Sequence, residues 1–263
     1  MGIRDKGQAA GDGPLIKALV DARLTGVPSR LEELECDLEG ALDVQVQVMR
    51  SLADMGHRFS GWKVGLTSGH AHDGMGVGFR PFGYILAEHT WPSGATVTGG
   101  PKAGGHIEPE LCLEMKAPLR GRDLPPETCR AAVGEVQAAF EINENRVKMP
   151  GPNRLFIADG LSNWGLVVGD GTLPRTGLET TAVDLFLGDE LIQSSAPKLQ
   201  MDDPFLSLSR LCSTLDRHGL GIEIGQHVIT GAFFRYPITN PGVYRAVFHG
   251  LGEVAIEIGF QPD

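Results

Sequence analysis

The chain has 263 residues, 41% of them hydrophobic and 21% charged, and a mean hydropathy near zero, the composition of one large or two small soluble globular domains. A net charge of -10 argues against nucleic acid or an anionic membrane as the main partner, while leaving room for an anionic substrate drawn in by a local cation. With 36 glycines and 17 prolines, the fold should be rich in turns and short strands.

The four cysteines, Cys36, Cys112, Cys129 and Cys212, show neither CxxC nor metal-ligand spacing, and read as reduced thiols of a cytoplasmic protein. The opening residues carry no apolar stretch of the signal-peptide kind, and no apolar run is long enough to cross a bilayer. Met1 to Gly13 is Gly-rich and is expected to fray.

Leu15, Ile16, Leu19, Val20 and Leu24 fit a short helix that Val27-Pro28-Ser29 ends. Asp37 to Met55 reads as a longer amphipathic helix, with Leu38, Leu42, Val48, Leu52 and Met55 at helical spacing and Gly56 as its stop. These two helices make an N-terminal helical region over 1–60, ahead of a remainder over 61–263.

At Gly61-Trp62-Lys63-Val64-Gly65-Leu66-Thr67-Ser68 the pattern changes to a short strand bounded by glycines. Lys63 stands between apolar neighbours, either as an edge lysine that discourages aggregation or as an ammonium with a chemical task. His70-Ala71-His72-Asp73 invites a metal reading, but its Gly-rich setting favours a solvated loop, and Gly74 to Gly83 reads as loop or lid. Ala95 to Val97 is a short strand.

His106-Ile107-Glu108-Pro109-Glu110-Leu111-Cys112-Leu113-Glu114 alternates as a strand does. Ile107, Pro109, Leu111, Leu113 and Met115 make a core face, while Glu108 and Glu110 fall on neighbouring positions of the other, roughly 7 Å apart. That second face is either solvated or organised around a positive charge. A helix is expected after Gly121, with Asp123 as a possible cap and Ala131, Ala132, Val133, Val136 and Phe140 turned inward. It leads to Glu141, flanked by Phe140 and Ile142, where a carboxylate is either buried with a partner or at a strand mouth.

Ala158-Asp159-Gly160-Leu161-Ser162-Asn163 is a polar knot, either a capped turn or a pocket lining, ahead of the strand Leu166 to Gly169. Gly188-Asp189 joins a hairpin, Asp203-Pro204 opens a helix that Gly219 ends, and Val228-Ile229-Thr230-Gly231 is a buried strand. A terminal hairpin closes the chain, with Val254, Ile256 and Ile258 alternating with glutamates. Strands outnumber helices in the last two-thirds, so the class is α+β.

If Glu108, Glu110 and Glu141 converge, they form an all-oxygen site suited to Mg²⁺ or Mn²⁺ rather than Zn²⁺. Open positions on such an ion would accept a chelating 2-oxo acid, whose 2-oxygen the ion would polarise as a Lewis acid. Lys63 is the candidate proton shuttle.

Lys63-Val64-Gly65-Leu66-Thr67-Ser68, Glu108-Pro109-Glu110, Phe140-Glu141-Ile142 with Arg146, Ala158-Asp159 with Ser162, and Ile229-Thr230-Gly231-Ala232 follow one another in order. Over about residues 15 to 260 the chain resembles the 2-oxopent-4-enoate (2-hydroxypenta-2,4-dienoate) hydratases. These, with the 4-oxalocrotonate decarboxylases, belong to the fumarylacetoacetate hydrolase superfamily. The resemblance implies a mixed β-roll catalytic domain with an N-terminal helical layer, a cytoplasmic homo-oligomer, and Mg²⁺ or Mn²⁺ on Glu108, Glu110 and Glu141. It also implies Lys63, Ser162 and Asp159 as catalytic residues and Leu66, Thr230 and Gly231 as substrate-binding ones.

The implied reaction adds water to a 2-hydroxy-2,4-dienoate in aromatic meta-cleavage catabolism, giving a 4-hydroxy-2-oxo acid, possible partners being a pathway decarboxylase or aldolase. Three alternatives stand beside it: decarboxylation of a 4-oxalocrotonate-like diacid, C–C hydrolysis of an acylpyruvate, and a degenerate binding or assembly subunit. The chain departs from the family at Arg80-Pro81-Phe82-Gly83, where the family has Pro-Asp-Phe-Gly, and at Gly160, where it has Asn. Arg80 and Trp164 are expected to reshape the pocket for a larger or doubly anionic substrate, and Asp73 is a candidate replacement for the missing acid.

Overall fold

The computed structural model describes residues 13–28, 34–147, 153–196 and 200–259. The expectation of fraying over Met1 to Gly13 lies outside the described residues, except for Gly13 itself, as does Ser29 of the first helix stop.

Two helices lead, α1 (Gly13–Thr25) and α2 (Leu38–Asp54), close to the spacing read from the sequence. The Asp37 side chain caps α2 by accepting from the Gly40 N–H, which leaves one fewer orphan donor at that end. Strand β1 (Phe59–Val64) and β2 (Phe82–Leu86) form an antiparallel pair, so Phe82 and Gly83 belong to a strand rather than to the glycine-rich loop. Short strands β3 (Thr90–Pro92) and β4 (Ala95–Thr98) lead to the long pair β5 (Gly105–Met115) and β6 (Val133–Glu144).

Between β5 and β6 lies α3 (Pro126–Ala132), shorter than the sequence suggested: Val133, Val136 and Phe140 are strand residues of β6. Asp123 is not its cap. Pro125 holds that position without a side-chain bond, and Asp123 takes a left-handed φ of 51° while its N–H donates to the Ser213 hydroxyl. The β-branched and strand-forming residues after Ala132 override the helical spacing because they pair with β5 along its whole length.

The remainder comprises α4 (Arg154–Ala158), β7 (Asn163–Thr172), the hairpin β8 (Val183–Leu187) and β9 (Glu190–Ser194), and α5 (Pro204–Arg217). Then come β10 (His227–Ala232), β11 (Tyr236–Pro237), β12 (Gly242–Phe248) and β13 (Gly252–Gly259).

The eight-stranded sheet runs β2-β1-β10-β5-β6-β7-β3, with β11 added on β5; the five-stranded one runs β4-β13-β12-β8-β9. One face of the large sheet buries Leu111, Leu113, Phe140 and Ile142 in the main core, against which β13 of the second sheet packs. The other face curls inward. It carries a separate, fully buried apolar cluster of Ile85, Cys112, Ala139, Leu166 and Ile229.

Helix α5 covers β10, β1 and β2, while α2 packs on α4. Gln45 of α2, fully buried, donates to the carbonyls of Phe82 and Ile157 and so ties β2 to α4. Among the described residues, no helix is long and apolar enough to cross a membrane.

Candidate metal centre

Antiparallel pairing dictates which side chains meet on the inner face. On β5, Glu108 lies opposite Glu141 of β6 and Glu110 opposite Ala139, so all three glutamates project to the same side. One carboxylate oxygen from each lies within 4.8 Å of the others, and all three residues are buried. Among the described residues this is the only such cluster of potential ligands. The solvated-face reading of the strand is therefore overturned.

Lys63 reaches the cluster from β1, whose register places it beside Ile229 of β10 and Gly83 of β2. Its Nζ is 2.6 Å from the Glu141 carboxylate and donates to the Leu161 carbonyl at 3.2 Å. Gly83 lacks a side chain for a reason: a Cβ there would lie 2.6 Å from the Gly160 carbonyl oxygen and 2.7 Å from Lys63 Cγ. Asn163 donates to the other Glu141 oxygen at 2.8 Å.

Glu110 accepts the Gly231 N–H at 2.8 Å. Gly231 has φ +134°, and a Cβ would meet Thr67 Oγ1 at 2.0 Å, so only glycine lets this N–H approach. Glu108 takes a 2.5 Å bond from Arg235 Nε, in the segment between β10 and β11.

The electrostatics are unequal. Burial pushes the Glu110 carboxyl well above its ordinary value of 4.5, the Glu141 charge adds to this, and Lys63 offsets only part. Burial also raises Glu141, against the opposing pull of Lys63. At Glu108 burial acts upward as well, but the Arg235 and Lys63 charges and hydrogen bonds from Arg235 and Glu141 reverse it, and the net shift is downward. Three buried carboxylates face two cations, one of them at the solvent edge. A divalent cation fits the donor set: hard oxygens, closely spaced, with more negative charge than the protein neutralises.

The other residues named from the sequence are placed as follows. Leu66 and Ser162 both take left-handed φ, 61° each, and Leu161 does so at 58°, which are uncommon values for residues with side chains and concentrate at functional sites. The Ser162 hydroxyl makes no hydrogen bond among the described residues, while the Ser162 carbonyl accepts from Glu144 N–H. Thr230 is buried, its hydroxyl 3.4 Å from the Leu111 carbonyl.

Asp159 is not brought to the glutamates; Arg146 grips it with Nε at 3.1 Å and Nη2 at 3.0 Å, inside a buried network with Glu144. Burial still leaves that carboxyl raised.

Two pocket expectations are corrected. Arg80 is no pocket cation: it is buried, bound through Nε to Asp202 and through Nη1 to Asp73, both at 2.7 Å. Asp73 is thereby committed to Arg80 and to the Gly78 N–H, and His72 lies with Asp202 rather than on a metal. Trp164 packs with His89 and Trp91, at ring distances of 4.9 Å and 5.3 Å. Sequence reasoning missed Arg235, which forms no local pattern with the residue it touches, and named Asn163 only as part of the polar knot, without its bond to Glu141.

No family model matches the chain. It is 26% identical over 229 residues to a 4-oxalocrotonate decarboxylase of Pseudomonas putida, covering 84% of this chain and 85% of the relative. With a 2-keto-4-pentenoate hydratase of Dechloromonas aromatica it shares 27% identity over 253 residues, 92% and 93% of the two chains. The chain is homologous to this hydratase and decarboxylase group.

A solved structure of 4-oxalocrotonate decarboxylase from Pseudomonas putida G7, complexed with magnesium and adipate, superimposes with a TM-score of 0.85 at 23% identity, over 97% of this chain and 100% of that one. The fold is the α+β architecture with a curled sheet found in the fumarylacetoacetate hydrolase superfamily.

Proposed function

We propose that the protein is a divalent-metal-dependent hydro-lyase that adds water to a 2-hydroxy-2,4-dienoate, with Glu108, Glu110 and Glu141 holding Mg²⁺ or Mn²⁺. The observation that carries this is the buried triad of glutamates with Lys63 2.6 Å from one of them. A bound divalent ion supplies Lewis-acid polarisation of the substrate's 2-oxygen.

The chain's own residues do the rest. Lys63 Nζ, held between Glu141 and the Leu161 carbonyl, moves a proton to or from the carbon skeleton next to that oxygen. Asn163 keeps Glu141 oriented, leaving its carboxylate in place when the lysine changes protonation. The Ser162 hydroxyl, without a partner among the described residues, faces substrate or the attacking water, and the strained 161–162 backbone presents it there. Leu66, Thr230 and Gly231 line the substrate's path, and Asp159 acts through Arg146 as support for that turn. The N-terminal helices, 1–60, brace a catalytic roll over 61–263, and the protein works in the cytoplasm as a homo-oligomer.

Decarboxylation of a 4-oxalocrotonate-like diacid on the same centre is the second reading, favoured by the match over the full length of the solved decarboxylase and by Pro81 standing where the family acid would be.

The test is turnover with Mg²⁺ on 2-hydroxypenta-2,4-dienoate and on 4-oxalocrotonate. A hydroxylated product without CO₂ establishes the hydratase, released CO₂ the decarboxylase. Glu108→Ala should abolish both turnover and metal binding in a folded protein. A variant that binds Mn²⁺ and turns over as the parent does would remove the triad from the mechanism.

A further inference from the structure

Away from the metal centre, one buried cation is left without an acid of its own. Arg23, on α1, is 3% exposed, and among the described residues its Nε and Nη1 make no hydrogen bond. Only Nη2 is engaged, donating to the Trp164 carbonyl at 3.1 Å. The N–H groups on the other two nitrogens lack an acceptor, which is a costly arrangement in a protein interior.

The nearby acids do not fill the gap. Arg146 binds Asp159 through Nε and Nη2, at 3.1 Å and 3.0 Å, and Glu144 through Nη1 at 3.3 Å. The other Glu144 oxygen accepts the Ala103 N–H at 3.3 Å. The Tyr84 ring, centred 6.0 Å from the guanidinium carbon, gives Arg23 only a weak cation–π contact. Burial, and then repulsion from Arg146, pulls the Arg23 pKa down to about 10, as befits a cation short of counter-charge.

Arg23 lines a pocket of about 240 Å³ between the end of α1 and the loop after β4, together with Gly26, His89, Lys102, Glu144 and Trp164. None of these residues belongs to the metal centre. His89 Nδ1 donates to the Trp164 carbonyl at 2.7 Å, so its second nitrogen can donate only when the ring is protonated. Lys102 is exposed. A Cβ at Gly26 would lie 2.8 Å from a Glu144 oxygen and 3.1 Å from Lys102 Cβ, so glycine keeps this wall open. Two cations thus face the pocket against one carboxylate, which Arg146 already holds.

We propose that this pocket is a ligand site separate from the metal centre, taking a small oxyanion, a carboxylate or phosphate group, on Arg23 with Lys102 at its mouth. Such a group supplies the acceptors that Arg23 lacks, in charge-assisted hydrogen bonds. The inference is independent of the reaction carried out at the glutamates.

The test is calorimetric titration of the Mg²⁺-loaded protein with inorganic phosphate and, separately, with acetate, at fixed ionic strength. At least one should bind saturably, with a Kd on the order of 1 mM, and the tighter of the two shows whether a tetrahedral or a planar group fits. Arg23→Met should weaken that binding by about tenfold or more, and Lys102→Glu by about threefold. The bound anion should raise the melting temperature of the parent and leave that of Arg23→Met where it was. Glu108→Ala, altered at the metal centre, should bind the anion as the parent does.

No saturable binding of either anion by the parent overturns the site, and so does undiminished binding in Arg23→Met. Should Arg23→Met fail to fold, undiminished binding in Lys102→Glu, a surface change, overturns it instead. Binding lost in Glu108→Ala would place the anion at the metal centre, sinking this inference and leaving the metal site standing.

Discussion

Two clusters of charge, each built on buried side chains, are balanced in opposite ways. In one, Asp73 and Asp202 meet Arg80 and Arg210, with His72 beside them, and both carboxyls are held below their ordinary values. For Asp73 the Gly78 N–H contributes most, followed by Arg80; for Asp202 the hydrogen bonds and charges of Arg80, His72 and Arg210 outweigh burial. In the other, Glu108, Glu110 and Glu141 share Lys63 and Arg235, and two of the three carboxyls are pushed up by burial.

The first cluster is complete and acts as a clamp, joining the 66–80 loop to the start of α5. The second is short of positive charge, and that deficit marks it as the place where something else binds.

Substitutions sharpen this contrast. The largest effect is expected at Lys63→Met, which removes the proton-carrying Nζ while keeping the three carboxylates: turnover should fall by about 10²–10⁴-fold with Mn²⁺ still bound. Retained turnover would assign the proton transfer elsewhere. Breaking the balanced cluster should do the reverse. Arg80→Ala leaves Asp202 without its main partner, and should lower unfolding free energy by about 2 kcal/mol in denaturant titration, with metal affinity at the glutamates unchanged.

The subtlest effect is on pH dependence. A carboxyl whose value is raised on folding penalises the native state as pH climbs from 4.5 through its raised value, because the folded protein must then carry a buried charge. Metal-free protein should therefore gain stability as pH is lowered through the raised value towards 4.5. Glu108 acts in a different window: its stabilisation is lost only below its ordinary value, as pH falls through its lowered one. Glu110→Gln should remove much of the gain and raise the neutral-pH stability of the metal-free protein. A pH profile identical to the parent's would show that Glu110 is already paired.

Much of this was legible in the residues. The alternation of β5 placed Glu108 and Glu110 together, and the apolar flanks of Lys63 and Glu141 indicated that both needed partners, which turned out to be each other. Caps at Asp37 and Asp203 located two helices because an N-cap acts within three residues of itself.

What stayed hidden was long-range. Arg80 finds Asp202 across 122 residues, and Arg235 finds Glu108 across 127, with no local periodicity to announce either. The helix expected through Val136 failed for a related reason: pairing with β5, distant in sequence, outweighed local helical spacing.

The apolar cluster of Ile85, Cys112, Ala139, Leu166 and Ile229 has a stereochemical consequence. These side chains continue the inner face beyond Lys63, Glu110 and Glu141 as an apolar strip. If this strip lies against one side of a flat, conjugated substrate, water attacks from the other. A hydration carried out here would therefore deliver oxygen to one face of the double bond and yield a single enantiomer of the 4-hydroxy product.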